Sequence, residues 1–345
     1  MESIMICDGG HKVHLVWARS VGCKYMMYYD LTKLRLLSSI ENRGFRIPAV
    51  LWRHAIRRIT RLYLKNLERK FNVIICEGGT PLPEASIIKE KSNGKLILLA
   101  ANGFFYKLRM GDVKLRAYRR YLSMIDGIIA VSKMVANDAN NVIKVPTLIV
   151  HPFADIERYL SIRPNLKSKN IIFLGRITRD KGVDVLVDAF KIVKRELSES
   201  KLFIIGEGPL RRQIMKQRIN GVYLPGYIKD PRRFLSLGSI YVQPSRYDAF
   251  PIAVLEAMSA GLIPIVSEHT GTKEILPRDL VVKNDPYDLA HKMLEVLSMP
   301  MQFKLELSRK MRKIASRFTL KHSIEQFKRS FHKILNMRVA KQRVF

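Results

Sequence analysis

Residues 170–190 read NIIFLGRITRDKGVDVLVDAF, and this order of residue types sets the fold class. The apolar run Asn170–Leu174 predicts a buried strand, Gly175 follows at its end, and Val183–Leu197 has the apolar spacing of a helix. A strand followed by such a helix is the repeating unit of a parallel sheet with helices on both faces. Further predicted strands and helices alternate along the C-terminal half, at 201–205, 210–218, 222–224, 240–243, 253–259 and 263–266.

The N-terminal half has the same alternation. Its predicted strands are Ser3–Cys7, Lys24–Tyr29, Asn72–Cys76, Lys95–Ala101 and Gly127–Val131, and its predicted helices include His11–Val21, Ala49–Lys70 and Asp112–Met124. The polar segment Arg163–Lys169 contains a proline and predicts a linker. We therefore predict an α/β protein with two Rossmann-like, doubly wound parallel-sheet domains, at 1–162 and 163–325, followed by a helix and tail at 326–345. Two such domains facing a cleft would bind a ligand there, at the carboxyl ends of the strands.

The charge of the chain is strongly positive. Its 345 residues include 61 Lys and Arg against 30 Asp and Glu, a formal net charge of +31. A field of this sign attracts polyanions, whether nucleic acid, an anionic membrane or phosphate-bearing ligands, and it also serves solubility. Charge alone does not choose among these.

The cysteines and the apolar runs indicate in which cellular compartment the protein is expected. Cys7, Cys23 and Cys76 are an odd number without metal-ligand spacing, and two of them lie in predicted buried strands. We interpret all three as reduced thiols of a cytoplasmic protein. The sequence has no unbroken apolar run of about 18 residues and no signal-peptide pattern at MESIMICDGG, so we expect any membrane contact to be peripheral.

Cationic residues flank the turn after the strand at 170–174. Arg176 follows Gly175, and Lys181 precedes Gly182 where a helix begins. Arg can bind an anion through two parallel hydrogen bonds, Lys adds a point charge, and a helix N-terminus offers free N–H groups. The combination suits a diphosphate, although Arg and Lys at this spacing are also common on solvated surfaces. The second turn of this kind, IIGEGP with Gly206 and Gly208, is not a dinucleotide fingerprint and is often merely structural.

Two carboxylates lie eight positions apart in the stretch QPSRYDAFPIAVLEAMSAG at 243–261. Asp248 falls in a predicted loop, Glu256 falls on the helix that follows, and Phe250 and Pro251 fit the start of that helix. Carboxylates accept hydrogen bonds from sugar hydroxyls, so one acid could hold a hexose and the other a ribose. The alternative is a capping Asp248 with a surface Glu256, but Glu256 lies inside the apolar run 252–258.

These motifs together resemble the large retaining glycosyltransferase family GT4 (glycosyl transferases group 1), which has the GT-B fold. The matching stretches are GRITRDKG at 175–182, IIGEGP at 204–209, PSRYDAFPIAVLEAMSAG at 244–261 and SEHTGTKEIL at 267–276. IIAVSKMVANDA at 128–139 and VHPFADIERYL at 150–160 are similar to the segments that end the family's N-terminal domain. The resemblance implies that the C-terminal helix and tail cross back to the N-terminal domain.

The resemblance also implies roles for individual residues. Arg176 and Lys181 would bind the donor diphosphate, and Asp248 and Glu256 would contact the transferred sugar and the nucleotide ribose. The backbone at Phe250 and Pro251 would present N–H groups to the sugar or phosphate. The full expected donor-binding set is Gly9, Gly10, Gly175, Arg176, Lys181, Gly206, Gly208, Asp248, Phe250, Pro251 and Glu256. The donor would be a UDP- or GDP-sugar, and no metal or other cofactor is implied, because the family neutralises the diphosphate with Arg, Lys and helix dipoles.

Two positions depart from the family pattern. Asp248 stands where the family usually has Glu, and the shorter arm could change sugar preference or binding. Asn102 stands where the family often has a His near the reacting sugar, and an amide can hydrogen-bond a hydroxyl but cannot act as a base near neutral pH. We expect the catalytic group to be Asp248, Arg176, Lys181 and Asn102.

The predicted helix at 49–70 combines basic and apolar residues. Apolar side chains recur at helical spacing, and the expected membrane or acceptor contacts are Trp52, Arg53, Arg57, Arg58, Arg61 and Lys65. Such a helix suits an anionic membrane surface. The basic stretch Lys107–Arg120 could extend that surface, and Phe104, Phe105 and Tyr106 could insert into it or bind a lipid acceptor. The alternatives are a helix packed on the sheet with solvated charge outside, and a nucleic-acid surface, which is the least favoured of the three.

Three functions fit these observations. The first is hexose transfer from a nucleotide sugar to a hydroxyl of a lipid-linked, glycan or other membrane-associated acceptor. The second is a non-catalytic protein that holds a glycan or polyanion on the same scaffold, which the change at Asn102 keeps open. The third is a nucleotide-sugar epimerase, which the Asp248/Glu256 pair disfavours. The sequence leaves the oligomeric state open.

Overall fold

The computed structural model describes residues 2–7, 12–27, 58, 61, 62, 64 and 70–337. Within them the chain divides into two compact units, one of residues 1–150 with 324–345 and one of residues 151–323. Each unit contains a parallel sheet covered by helices. The prediction of two α/β domains with parallel sheets is confirmed.

The first unit has a six-stranded sheet in the order β2-β1-β3-β4-β5-β6. The strands are β1 Ser3–Cys7, β2 Lys24–Met27, β3 Val73–Glu77, β4 Lys95–Ala100, β5 Gly127–Ala130 and β6 Thr147–Ile149. The helices are α1 Lys12–Ser20, α2 Leu82–Ser92, α3 Phe104–Met110, α4 Leu115–Leu122 and α5 Lys133–Asn140. Strands β1, β3, β4 and β5 are almost wholly buried, as their unbroken apolar runs predict for strands covered on both faces.

The second unit has a six-stranded sheet in the order β12-β11-β10-β7-β8-β9. Its strands are β7 Asn170–Leu174, β8 Lys201–Ile205, β9 Val222–Gly226, β10 Ile240–Gln243, β11 Ile263–Ser267 and β12 Val281–Val282. Its helices are α6 Glu157–Leu160, α7 Val183–Glu196, α8 Arg211–Lys216, α9 Arg232–Leu237, α10 Ile252–Ser259, α11 Pro286–Ser298 and α12 Met301–Ala315. The chain then continues into α13 Leu320–Asn336, most of which packs with the first unit.

The boundary between the units lies after Val150, twelve residues before the boundary placed by sequence. The intervening segment packs with the second unit: the His151 ring bonds to Glu274, and the Ala154 N–H donates to the carbonyl of Phe318 at 3.2 Å. The predicted linker is likewise part of that unit. The Lys169 ammonium donates to the Leu297 carbonyl, and Leu166 is buried. The predicted linker segment thus makes contacts of its own, because its polar groups find partners on neighbouring helices.

The helix predicted at Asp112–Met124 is shorter than expected, and a separate helix precedes it. Gly111 adopts a left-handed conformation (φ 82°) and ends α3, and α4 begins only at Leu115. Residues 49–70 lie largely outside the described residues, but the backbone at 58, 61, 62 and 64 is helical. Residues 28–29 and 338–345 lie outside them too. None of the described helices has both the length and the hydropathy needed to cross a bilayer.

Candidate functional site

The carboxyl ends of β7 and β10 form the centre of the site. These two strands are neighbours in the second sheet, and the chain proceeds from β7 toward β8 and β9 but from β10 toward β11 and β12. Loops that leave adjacent strands in opposite directions open a crevice, which is where ligands bind in doubly wound sheets. The two loops are joined directly, since the Arg246 N–H donates to the Asp180 carbonyl at 2.8 Å.

Glycines allow the loops of this unit to approach one another. A Cβ on Gly182, which has φ 67°, would lie 1.7 Å from the Pro244 carbonyl oxygen, and one on Gly206 would lie 1.9 Å from the oxygen of Gly175. A Cβ on Gly208 would lie 2.4 Å from the Ile177 oxygen. Gly206 and Gly208, expected to contact a donor, thus have a structural reason to be glycine that needs no ligand.

Lys181 and Asp248 meet at the crevice. The Lys181 Nζ lies 2.5 Å from Oδ2 of Asp248, and the two side chains are 19% and 12% exposed. Burial raises the pKa of Asp248, and the Lys181 ammonium opposes that rise. The residues predicted to bind the sugar and the phosphate are therefore brought together, with each compensating the charge of the other.

An arginine within the motif fixes the loop after β10. The Arg246 guanidinium binds both carboxylate oxygens of Asp184 on α7, at 2.7 and 2.9 Å, and donates to the Arg179 carbonyl at 2.6 Å. A planar guanidinium paired with a carboxylate in this way restrains both position and orientation. The sequence motifs alone assign Arg246 no role.

The far side of the same loop is held by residues 267–271. The Asp248 N–H donates to the His269 carbonyl at 3.0 Å, and its carbonyl accepts from the Gly271 N–H at 2.8 Å. Beneath it, the Ser267 hydroxyl donates to the Ser245 carbonyl at 2.5 Å, and the Gln243 amide donates to the Ser245 hydroxyl at 2.8 Å. Asp248 therefore lies on a loop whose backbone and buried polar groups are fixed by bonds within the unit.

Phe250 packs against two aromatic residues, one near the start and one near the end of the sequence of the second unit. Its ring lies 5.3 Å from His151 and 6.0 Å from Phe318, and His151 bonds to Glu274 at 2.6 Å. The Phe250 N–H is turned toward the Asp248 carboxylate, which it helps to keep charged. Pro251 has no N–H group, so the expectation that it donates one is wrong; it precedes α10 instead.

Glu256 lies on α10, as predicted, and is mostly buried. Burial raises the pKa of its carboxyl, while the nearby Tyr159 hydroxyl and the charge of Arg158 oppose the rise and Asp155 adds to it. A buried acid with a raised pKa in a crevice is typical of a functional site more than of a solvated surface. The alternative of a surface Glu256 is therefore disfavoured.

Arg176 is the most exposed of the charged residues predicted to bind the donor. Its side chain is 73% exposed, and it pairs with Asp180 at 3.6 Å. Gly175 beside it has φ 156°, and the nearest atom to a Cβ there would be on Phe173 at 3.3 Å. The guanidinium is thus available to an incoming anion at the end of β7.

A protein family matches the part of the chain that builds this site. Residues 168–299 match the family described as glycosyl transferases group 1. This range includes all of the contacts described above except those of residues 151–159 and Phe318. The C-terminal unit of this chain belongs to the group 1 glycosyltransferases. The predicted family is confirmed on the motifs from which it was inferred.

Several known proteins are similar to this chain, and two relatives and one solved structure serve as examples. An uncharacterized glycosyltransferase of Methanocaldococcus jannaschii is 29% identical over 221 residues, 57% of this chain and 54% of its own length. A subunit of the phosphatidylinositol N-acetylglucosaminyltransferase of Arabidopsis thaliana is 30% identical over 166 residues, 45% of this chain and 37% of its own. The chain thus spans little more than half of one relative and little more than a third of the other. Anabaena HepE, solved in complex with UDP, has a TM-score of 0.72 over 96% of this chain and 100% of its own at 14% identity, which shows that the fold is GT-B.

The other residues predicted to be functional lie outside the unit that matches the group 1 family. Asn102 follows β4 in the first unit, where its Oδ1 accepts from the Phe104 N–H at 3.0 Å. Gly9 and Gly10 lie outside the described residues, as do Trp52, Arg53, Arg57 and Lys65. Arg58 is exposed, whereas the Arg61 Nε lies 3.1 Å from the buried carboxylate of Glu84. Arg61 therefore balances an internal charge of its own unit.

The basic stretch at 107–120 is exposed, but its aromatic residues are not. Phe105 is 1% exposed, and the Phe104 ring packs 5.1 Å from that of Tyr118. The expectation that Phe104 and Phe105 insert into lipid is thus corrected, because Phe105 is buried within its own unit and the Phe104 ring packs against Tyr118 of α4. The large apolar side chain that α3 offers to solvent is Met110, which is 57% exposed.

Proposed function

We propose that this protein transfers a hexose from a UDP- or GDP-sugar to a hydroxyl of a lipid-linked, glycan or other membrane-associated acceptor. The observation that carries the proposal is the meeting of Lys181 and Asp248 at the strand ends where β7 and β10 diverge. The similar proteins support it, since one belongs to a phosphatidylinositol N-acetylglucosaminyltransferase and a structure of the same fold was solved with UDP.

The diphosphate of the donor would bind at the end of β7. Arg176 and Lys181 supply two cations, and the N-terminus of α7 directly follows them. These groups favour the charge that develops on the departing diphosphate, which is an electrostatic contribution to catalysis. Because the neutralising charges come from the chain, the proposal requires no metal ion.

The sugar and the ribose would be held by the two acids. Asp248 accepts hydrogen bonds from hydroxyls of the transferred sugar, and Glu256 accepts them from the ribose. We propose that the anomeric configuration is retained by a front-face route. In it the anomeric C–O bond to the diphosphate breaks, the acceptor oxygen bonds to the same carbon from the same face, and the departing phosphate takes the proton of the acceptor hydroxyl. This route requires no protein nucleophile.

The acceptor side belongs to our proposal as well. Exposed cations on and beside α3 and α4 favour an anionic membrane surface, and we propose a peripheral position on the cytoplasmic face. These cations are Lys107, Arg109, Lys114, Arg116, Arg119 and Arg120.

Donor hydrolysis tests the proposal. Release of UDP or GDP is measured from UDP-glucose, UDP-N-acetylglucosamine and GDP-mannose with wild type, Arg176→Ala and the exposed control Arg233→Ala. We expect hydrolysis of one donor, a fall of about 100-fold in Arg176→Ala, and no change in the control. Full activity of folded Arg176→Ala would contradict the assigned role. Donor binding without any hydrolysis or transfer would favour the non-catalytic alternative.

A further inference from the structure

Strands β7 and β10 separate before they end. The last backbone pair between them joins Ile172 to Tyr241, although β7 continues to Leu174 and β10 to Gln243. Over these final residues each strand pairs with its outer neighbour, β7 with β8 and β10 with β11. The crevice at the strand ends thus begins inside the sheet, where contacts other than the β7–β10 ladder must set its width.

Two polar side chains of β10 cross this gap. Tyr241 and Gln243 lie two positions apart and so share one face of the sheet, and they are 0% and 2% exposed. The Tyr241 hydroxyl donates to Oε1 of Gln243 at 2.6 Å and also lies 3.2 Å from the Leu174 carbonyl oxygen. The Gln243 amide in turn donates to Oγ of Ser245 at 2.8 Å. We call this chain of buried hydrogen bonds, from the end of β7 to the loop after β10, the Tyr241–Gln243 bridge.

The polar groups of the bridge depend on one another. The other residues of β10 are apolar and buried, and a polar side chain among them costs free energy unless it is hydrogen-bonded. Burial raises the pKa of Tyr241, and the charges of Glu256 and Asp248 add to the rise, so the phenol keeps the proton that it donates to Gln243. A buried chain of this kind restrains its members strongly when every group is paired.

Each end of the bridge leads to a residue predicted to bind the donor. Leu174 lies two positions before Arg176, whose guanidinium is exposed at the end of β7. Ser245 lies three positions before Asp248, and its carbonyl accepts from the Ser267 hydroxyl at 2.5 Å on the other side of the loop. The bridge therefore connects the strand end that carries a cation to the loop that carries the acid.

We propose that Tyr241 and Gln243 are positioning residues of the donor site, which fix the loop after β7 against the loop after β10 where the two strands are no longer paired. They act through the loops that they join and need not touch the donor. The consequence for catalysis rests on the proposed function, because it concerns the placement of Arg176 relative to Asp248. The bridge itself can be tested without any nucleotide.

Hydrogen exchange at single backbone amides tests the bridge. The amides of Arg246 and Asp248 donate to carbonyls of neighbouring loops, so their exchange reports on how firmly the loop after β10 is held. The Leu202 amide of β8 donates to a carbonyl within the sheet and serves as the reference. In Tyr241→Phe and in Gln243→Met we expect both loop amides to exchange about 10-fold faster relative to that of Leu202, the order expected for one lost hydrogen bond.

A double variant and a control separate this role from overall stability. Each single change leaves a buried polar group unpaired, whereas Tyr241→Phe combined with Gln243→Met replaces both partners by apolar side chains. The double variant should therefore melt closer to wild type than either single variant, and its two loop amides should still exchange about 10-fold faster. The control is Ser239→Ala, which removes a buried hydroxyl at the other end of β10 that donates to the Leu166 carbonyl at 3.3 Å. It should leave the exchange ratio unchanged.

Donor hydrolysis tests the consequence for catalysis. It is measured with UDP-glucose, UDP-N-acetylglucosamine and GDP-mannose, well below the melting temperature of every variant. We expect Tyr241→Phe and the double variant to lower kcat about 10-fold and to change KM by less than about twofold, because binding tolerates a small displacement that oriented reacting groups do not. A merely structural role would lower the melting temperature and leave the kcat of the folded protein unchanged.

The outcomes separate the two claims. If wild type hydrolyses none of the three donors and binds neither UDP nor GDP, the proposed function fails, and the exchange experiment still decides the bridge. If the exchange ratio is the same in wild type, Tyr241→Phe and the double variant, the positioning role is overturned. Faster exchange with an unchanged kcat in a protein that hydrolyses its donor overturns that role as well.

Discussion

Lys181 has two possible partners, the carboxylate of Asp248 and the diphosphate of a donor. Its Nζ lies 2.5 Å from Oδ2 of Asp248, in a place where neither charge is well solvated. A carboxylate in such a site needs a compensating cation, because transfer of an ion from water is costly. When a diphosphate binds, the Lys181 ammonium can contact both the diphosphate and the Asp248 carboxylate. The pair thus holds a cation where the diphosphate would bind.

Lys181→Met tests the value of this pair. Removal of the cation leaves Asp248 buried and uncompensated, so we expect the free energy of unfolding to fall by about 3 kcal/mol at neutral pH. The control is Lys191→Met, which removes the cation of the exposed pair Lys191–Asp188 and should change stability by less than about 0.5 kcal/mol. Urea unfolding measures both. Equal effects in the two variants would show that Asp248 does not depend on Lys181.

At the scale of elements, the site depends on how closely the loop after β7 approaches the loop after β10. Gly182 combines a left-handed backbone with direct contact to the Pro244 carbonyl. Gly111 is also left-handed, but a Cβ on it would have no neighbouring atom within 4 Å. The two positions therefore separate backbone strain from steric conflict.

Gly182→Ala should unfold at much lower denaturant than Gly111→Ala. We expect the first change to cost about 3 kcal/mol or more, because strain and overlap add, and the second to cost about 1 kcal/mol, from strain alone. Urea midpoints of the two variants check this. Similar midpoints would mean that the loops can separate without loss, and that their contact does not fix the site.

The sequence predicted the elements of the second unit well and its packing poorly. Strands such as β7 and β10 are apolar runs bounded by glycine or polar residues, so local pattern alone identifies them. Asp248 and Glu256 were found because a loop acid and a helix acid at fixed spacing are visible in one stretch. The role of Arg246 was not, because it arises from a contact with Asp184, which lies 62 positions away along the chain. The same holds for the 163–169 segment, whose partners are on distant helices.

At the scale of the whole molecule, the net charge of +31 is only partly explained by the donor site. A diphosphate needs only a few cations, and two are assigned to it. Helix α4, with Arg116, Arg119 and Arg120 exposed, contributes a dense group of cations in the other unit. Charge of this kind suits a large anionic partner such as a membrane surface.

Changing Arg116, Arg119 and Arg120 together to Gln should weaken binding to anionic vesicles. Each cation near such a surface contributes on the order of 1 kcal/mol, so the expected loss is about 100-fold, and less at high salt. The control changes the exposed Arg212, Lys216 and Arg233 of the second unit to Gln, which alters the net charge equally. Co-sedimentation with phosphatidylglycerol-containing and pure phosphatidylcholine vesicles gives the measurement. An equal loss in both triple variants would point to net charge rather than to α4.

The central claim is that the second unit binds a nucleotide-sugar donor through Glu256. A thermal-shift panel of UDP, GDP, UDP-glucose, UDP-N-acetylglucosamine and GDP-mannose, without metal, on wild type and Glu256→Ala tests it most directly. Because a ligand that binds only the folded state raises the melting temperature, we expect one base to raise that of wild type and to have little effect on Glu256→Ala. No shift in wild type with any of the five, or the same shift in both proteins, would contradict the claim.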